Sequence, residues 1–219
     1  FIDILRRYSK IIHMRNTSVR DRRDDLLDVY DSQAAAAGLD LQKRRGKAIT
    51  KFNKTFNGLF HSVSGLSGNI EIRYMPSWGK AETIDEAAEL LRSRRTTDYA
   101  FKTTTSGPHR DRIGFYLEGR DFSRIASTGQ RRLMSLVLRV AQAKFYTEMS
   151  RRAPILLLDD VLLELDAGRR RKFIAELPEY EQAFFTFLPD EHYAAYGSGE
   201  TKVFSVADGI LTESPGAAT

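Results

Sequence analysis

Leucine, isoleucine and alanine recur among arginines, lysines and aspartates over residues 5–62, and this spacing predicts mostly helix. Breaks are expected near Thr17-Ser18 and again at Gly38, dividing the stretch into antiparallel helices rather than one span. Leu26, Leu27, Val29 and Tyr30 supply one apolar face, and Leu39, Leu41, Ile49, Phe52, Phe56 and Leu59 another. The region therefore reads as a helical hairpin projecting from a head domain. Beyond Gly65 and Gly68 the alternation Ile70-Glu71-Ile72-Arg73-Tyr74-Met75 switches to the period of a strand, which Pro76 stops. Residues 83–95 return to helix, with Ile84, Ala87, Leu90 and Leu91 near one face and a basic exit through Arg92, Arg94 and Arg95.

The second half of the chain follows a different rhythm. Ser106-Gly107-Pro108-His109-Arg110-Asp111 predicts a turn before a strand over Ile113 to Glu118. Gln130 begins a helix whose buried face draws on Leu133, Met134, Leu136, Val137, Val140 and Ala141 and continues to Phe145. Pro154 to Val161 holds an apolar run long enough for a buried strand and too short to cross a bilayer. Phe184 to Phe187 supplies another strand. Lys202 to Val206, Asp208-Gly209 and Ile210-Leu211 read as a C-terminal hairpin, followed by a polar tail from Ser214.

Composition narrows the class without fixing it. A hydrophobic fraction of 42% with 29% charged residues describes a globular chain of 219 residues. The 34 basic residues exceed the 29 acidic ones by five, and the pI is near 9.4. An anionic partner such as nucleic acid is thus permitted, on a surface assembled by folding rather than on a basic tail. Absence of cysteine excludes disulfides and thiol chemistry and fits a reducing compartment. Four scattered histidines make no recognisable zinc cluster. No secretory or membrane segment is expected, and a chain opening at Phe1 reads as part of a longer product.

Candidate chemistry gathers at two places. Asp159-Asp160 ends the apolar run; if that strand lies in a parallel sheet, its carboxyl end is where such sheets bind ligands. Asp159 can then hold Mg2+ through its water shell while Asp160 orients or deprotonates an attacking water, although adjacent acids also occur in metal-free turns. Ser127 and Gly129 stand beside helix N-terminal amides, which suits phosphate oxygens and equally suits simple capping. Asp166 caps the next helix before Arg169-Arg170-Arg171-Lys172. His109 and Arg110 either approach phosphate or stabilise the turn, the histidine through Asp111. Arg92, Arg94 and Arg95 either contact phosphate or oppose the helix dipole in solvent.

In this order Ser106 to Asp111, Ser127 to Gln130, Ile155 to Asp160 and Leu165-Asp166 resemble the C-terminal part of bacterial RecF, the recombination-mediator ATPase family. Phe1 to Asp3, Met14-Arg15-Asn16, Leu27 to Asp31 through Gly38, Ile70 to Tyr74 and Asp208-Gly209 extend the likeness over nearly the whole chain. The resemblance implies an α/β fold: part of an ABC-type ATPase head, with a P-loop NTPase-like mixed sheet, carrying a helical arm. Residues 1–96 are expected to form the mainly helical arm and 97–219 the C-terminal lobe of the head. It implies ATP and Mg2+ as cofactors, with Ser127, Gly129 and Gln130 as the signature reaching ATP held by an opposite head. Asp159 becomes the magnesium acid, Asp160 the acid supporting water attack and Asp166 the interface acid. Arg110, Arg92, Arg94 and Arg95 are the DNA-contact candidates.

Implied partners are double-stranded and gapped DNA, RecO, RecR and RecA, and an ATP-dependent homodimer, in a cytoplasmic, nucleoid-associated setting without membrane. The implied activity is weak ATP hydrolysis by the complete dimer in recombinational repair and replication-fork maintenance. Another SMC-like repair ATPase, or a nonenzymatic DNA clamp, are the alternatives. No Gly-x-x-x-x-Gly-Lys-Ser/Thr loop occurs in these residues, so this stretch alone is expected to be inactive. After Phe187 stands Leu188-Pro189 rather than an obvious switch histidine, with His192 nearby.

Overall fold

A computed structural model describes residues 1–79, 81–188 and 201–214. Pro189 and His192 lie outside the described residues. Two long helices dominate the first third: α1 over Ile2–Arg20 and α2 over Asp24–Ser64. The expected break at Thr17-Ser18 falls instead after Arg20, where Arg22 takes a left-handed conformation with φ of 55°. No break occurs at Gly38. There the chain needs closeness: a Cβ on Gly38 would lie 2.5 Å from the ring of Trp78, which is itself buried. Glycine costs helix stability through its backbone freedom, and the packing of Trp78 against the helix overrides that cost.

Gly38→Ala consequently lowers stability by about 1–2 kcal/mol, since the overpacking cost exceeds the propensity gain of about 1 kcal/mol. A urea midpoint shifted upward, with unchanged slope, would show that the ring yields freely.

Two apolar clusters share α2. Its first half, with Ala34, Ala35, Leu39 and Leu41, packs with Tyr8, Ile11 and Ile12 of α1 and with Trp78. Ala87, Ala88 and Leu91 of α3, Ile84–Ser93, complete that cluster. Its second half, with Phe56, Leu59, Phe60 and Val63, joins the larger cluster built on α6, Thr128–Ser150, through Leu133, Met134, Val137 and Val140. Residues 83–95 are two helices rather than one: Thr83 and Glu86 form a capping box that starts α3, and the chain turns at Arg94 into α4, Arg95–Phe101.

The strand β1, Ile70–Met75, pairs antiparallel with β2, Arg112–Leu117, in register from Ile70 opposite Leu117 to Met75 opposite Arg112. The two-residue β3, Arg120–Asp121, extends this sheet, and the short α5, Phe122–Ile125, follows it. Asn53 fastens α2 to β1 by donating to the Ile72 carbonyl at 2.8 Å and accepting from the Ile72 amide at 2.9 Å. The apolar run forms β4, Ile155–Leu158, and it pairs in parallel with β5, Gln182–Phe185, through the crossover helix α7, Ala167–Ala175. Finally β6, Val203–Ala207, and β7, Ile210–Ser214, form the expected hairpin. Asp208 and Gly209 have φ of 50° and 78°, as a tight turn between twisted antiparallel strands requires.

A polar knot that the apolar periodicity does not spell out lies between these helices. Arg15 lies on the apolar face of α1 and is fully buried. Its Nε donates to Asp31 at 2.6 Å; its Nη1 donates to Asp98 at 2.7 Å and to the Thr104 hydroxyl at 2.8 Å. Both carboxylates are fully buried too, and Arg95 adds a second cation to Asp31. One guanidinium therefore ties α1 to α2, α4 and the loop beyond α4.

Candidate functional site

The two acids at the end of the apolar run sit where parallel pairing places them. Hydrogen bonding between β4 and β5 continues one step past the strands, with the Thr186 amide donating to the Leu158 carbonyl at 3.1 Å. That step brings the Thr186 hydroxyl between the carboxylates. The hydroxyl accepts from the Asp160 amide at 2.8 Å. Its own proton has Asp159 Oδ1 at 2.9 Å and Asp160 Oδ1 at 3.3 Å within reach. Asp160 is left-handed, with φ of 53°, a conformation aspartate tolerates better than most residues, and both acids are exposed. Thr186 is the member of this cluster that the sequence did not reveal. The usable signal was a hydroxyl immediately after the second apolar strand.

These residues fit a magnesium ion. The donors are hard carboxylate oxygens, both exposed and both within reach of the Thr186 hydroxyl through a single oxygen each. Among the described residues no group of three or more His, Cys, Asp or Glu side chains converges as a metal cage. Mg2+ characteristically takes one or two carboxylates and completes its shell with waters and substrate phosphates, so a two-acid site is sufficient for it.

Ser127 is the N-cap of α6, which starts at Thr128, two residues before the predicted Gln130. The Ser127 hydroxyl accepts from the Gln130 amide at 3.2 Å, and the Gln130 side-chain oxygen accepts from the Ser127 amide at 2.8 Å. This reciprocal box fixes the start of the helix. It leaves the serine proton and the Gln130 side-chain nitrogen without an acceptor among the described residues. A Cβ on Gly129 would meet nothing within 4 Å, so the backbone there is open to approach. Asp166 caps α7, accepting from the Arg169 amide at 2.9 Å and pairing with its guanidinium at 3.3 Å. The amide hydrogen bond holds its carboxyl below the usual carboxylate range. Asp159 and Asp160 are thus joined through Thr186, and Ser127 and Gln130 through the cap; no hydrogen bond among the described residues links those pairs to each other or to Asp166.

The segment Ser106 to Asp111 is a structural clasp. The carboxylate of Asp111 accepts from Arg45 at 2.9 Å, from the Ser77 amide at 2.8 Å and from the Tyr74 hydroxyl. Burial and that carboxylate push the Tyr74 phenol up. His109 does not bond Asp111. Its Nε2 donates to the Thr104 carbonyl at 3.0 Å, which leaves Nδ1 to accept from the Tyr8 hydroxyl at 2.9 Å. Burial pushes this imidazole below its usual range.

The four arginines named from the sequence divide. Arg92 pairs with Glu89 at 3.0 Å, and Arg95 with Asp28 at 2.6 Å and Asp31 at 2.5 Å. Arg94 and Arg110 instead line one cleft. Arg92 and Arg95 thus have carboxylate partners, and Arg94 and Arg110 have none within ion-pair distance among the described residues.

No family model matches the chain. It is 41% identical over 213 residues to the DNA replication and repair protein RecF of Treponema pallidum (strain Nichols), a match spanning 97% of this chain and 60% of that protein. With RecF of Clostridium perfringens (strain SM101) identity is 32% over 207 residues, or 93% of this chain and 57% of the relative. The chain therefore spans about three fifths of the length of these relatives. A solved structure of the recombination mediator protein RecF with ATP, in the RecFOR pathway, superimposes with a TM-score of 0.81 at 24% identity. That superposition covers 98% of this chain and 58% of the other. At that identity the likeness speaks for the fold alone: the mixed helix and sheet arrangement of this chain is that of the matching part of that structure.

Proposed function

The chain matches the C-terminal portion of RecF proteins along nearly its whole length, and on that ground we propose that it is the signature, arm and magnesium-acid part of an ATP-controlled DNA-repair protein. The observation carrying the nucleotide chemistry is the Asp159–Thr186–Asp160 cluster at the carboxyl end of a parallel strand pair. Asp159 would hold Mg2+, which when bound would supply positive charge to the phosphate oxygens of ATP. Asp160 orients the attacking water and accepts its proton. Thr186 fixes the distance between the two acids and keeps Asp160 in its left-handed turn.

The signature acts on a second copy. With the Ser127 hydroxyl already accepting from the Gln130 amide, its proton points away to donate to a phosphate oxygen held by an opposite head. Gly129 leaves the backbone amides accessible, and Asp166 meets the partner across the same interface. ATP then joins two complete heads, and hydrolysis separates them. DNA engagement, RecA loading at single-strand gaps and cooperation with RecO and RecR belong to this reading through the relatives. For DNA, Arg92 and Arg95 reach phosphate only by surrendering their carboxylates. Distributed backbone contacts over the complete dimer are therefore the proposed mode.

Ser127→Arg tests the interface in the intact protein. The cation fills the space needed by phosphate and abolishes the ATP-dependent gain in mass measured by light scattering, while the loss of the cap costs about 1 kcal/mol of stability. A folded variant that still dimerises with ATP removes Ser127 from the interface. Failure of the wild-type protein to bind Mg-ATP at all would favour a nonenzymatic clamp.

A further inference from the structure

Between the α3–α4 corner and the loop leading to Arg110 lies a cleft of about 410 Å3 that the nucleotide chemistry does not use. Leu90, Arg94 and Phe101 line it together with Trp78, Ser106 and Arg110, and none of its lining side chains is acidic. Arg94 sits at the turn between the two helices, and no carboxylate lies within ion-pair distance of it among the described residues, unlike its neighbours Arg92 and Arg95. Arg110 is aimed by the Thr104 carbonyl, which accepts from Nε at 3.2 Å and from one terminal nitrogen at 3.1 Å. Its other terminal nitrogen has no protein acceptor. Two further donors of the lining are buried without a partner: Trp78 Nε1, on a residue 3% exposed, and Ser106 Oγ, on a residue 7% exposed. Polar groups buried in this way are normally satisfied, so the unmet demand here is for an acceptor.

Apolar surface stands beside the cations. Phe101 is 70% exposed, and Leu90 is partly exposed on the same wall. A guanidinium pair next to an open aromatic ring fits a carboxylate adjoining an apolar side chain. A nucleic acid fits less well, because its strand carries a charge at every nucleotide. The carboxylates of Asp28 and Glu89, 70% and 69% exposed, flank Arg92 on the neighbouring helix faces and would repel successive phosphates. A single carboxylate meets Arg94 and the remaining terminal nitrogen of Arg110 without crossing those acids.

We propose that this cleft docks a short extended segment of a partner protein, with a carboxylate between Arg94 and Arg110 and an adjacent apolar side chain on Phe101 and Leu90. The site is independent of the nucleotide reading and stands or falls separately from it.

The test is an array of synthetic hexapeptides, each carrying one Asp or Glu within four positions of Phe, Leu, Met or Trp, probed with the purified protein beside the matching Asn and Gln array. The acidic set retains the protein at least tenfold better than the amide set. Arg94→Ala with Arg110→Ala removes that retention, as does Phe101→Ala, whose side chain is too exposed to matter for folding; thermal unfolding checks that both variants are native. Equal retention on acidic and amide peptides, or unchanged retention of both variants, overturns the proposal. So does binding of a 12-nucleotide oligothymidylate that depends on the same arginines while no peptide is held, which would hand the cleft to nucleic acid.

Discussion

On the function proposed above, Asp160→Asn in the intact protein lowers single-turnover ATP hydrolysis about 100-fold or more while Mg-ATP affinity changes little, because general-base assistance is lost and size is kept. The substitution is conservative in every respect but basicity. Asparagine tolerates the left-handed backbone that Asp160 adopts, and its side-chain oxygen can still accept from the Thr186 hydroxyl. Asp159→Ala behaves differently. It removes the carboxylate assigned to the metal, so Mg-ATP affinity falls before turnover is measured. Titration of nucleotide with and without magnesium, followed by rapid mixing under single-turnover conditions, separates the two. Near wild-type turnover by the Asp160 variant would end its assignment as the water-activating acid.

The largest stability effect is expected at a residue remote from the nucleotide. Arg15→Met costs about 3–5 kcal/mol, the penalty for leaving buried charge without its partner. Asp31 would keep only Arg95, and Asp98 would keep only the Thr105 amide and hydroxyl, at 2.8 Å and 2.6 Å. Replacing the carboxylates as well, in an Arg15→Met, Asp31→Asn, Asp98→Asn variant, restores part of the loss, because the uncompensated charges disappear with the cation. Urea unfolding of the single and triple variants measures both. If the single variant loses under about 1 kcal/mol, well below the range for a broken buried pair, the network does not hold α1, α2 and α4 together.

Legibility of the chain tracked how local each determinant is. The Asp208-Gly209 hairpin, the strand at Ile155 to Leu158 and the cap at Ser127 depend on neighbours a few residues away, and all three emerged from the pattern. Gly38 misled because its reason is a tryptophan forty positions later, invisible to helix propensity. Arg15 occupied the apolar face of α1, between Ile12 and Val19, and such a cation within a buried stripe was itself a readable signal for a buried acid. Which acids answer it, at positions 31 and 98, is a tertiary fact. Thr186 escaped for the same cause, since only the parallel register carries its hydroxyl to the two aspartates. Among the arginines, charge was visible but neutralisation was not: the sequence ranks Arg92, Arg94, Arg95 and Arg110 alike, while the fold pairs Arg92 and Arg95 with carboxylates and gives Arg94 and Arg110 none among the described residues.

The uninterrupted α2 gives the protein a single continuous strut. At 41 residues it is about 60 Å long at the usual helical rise, and a helix resists bending far better than it resists tilting. Phe56 and Phe60 near its end are gripped by the cluster around α6, whose first turn carries Ser127, while Ala34, Ala35 and Leu41 hold the distant corner with Trp78. A tilt of about 5° imposed at the gripped end sweeps the far end through about 5 Å, the height of one helical turn. A glycine that broke this helix at residue 38 would have put a joint in the strut; the helix runs through it unbroken, with the ring of Trp78 laid against it.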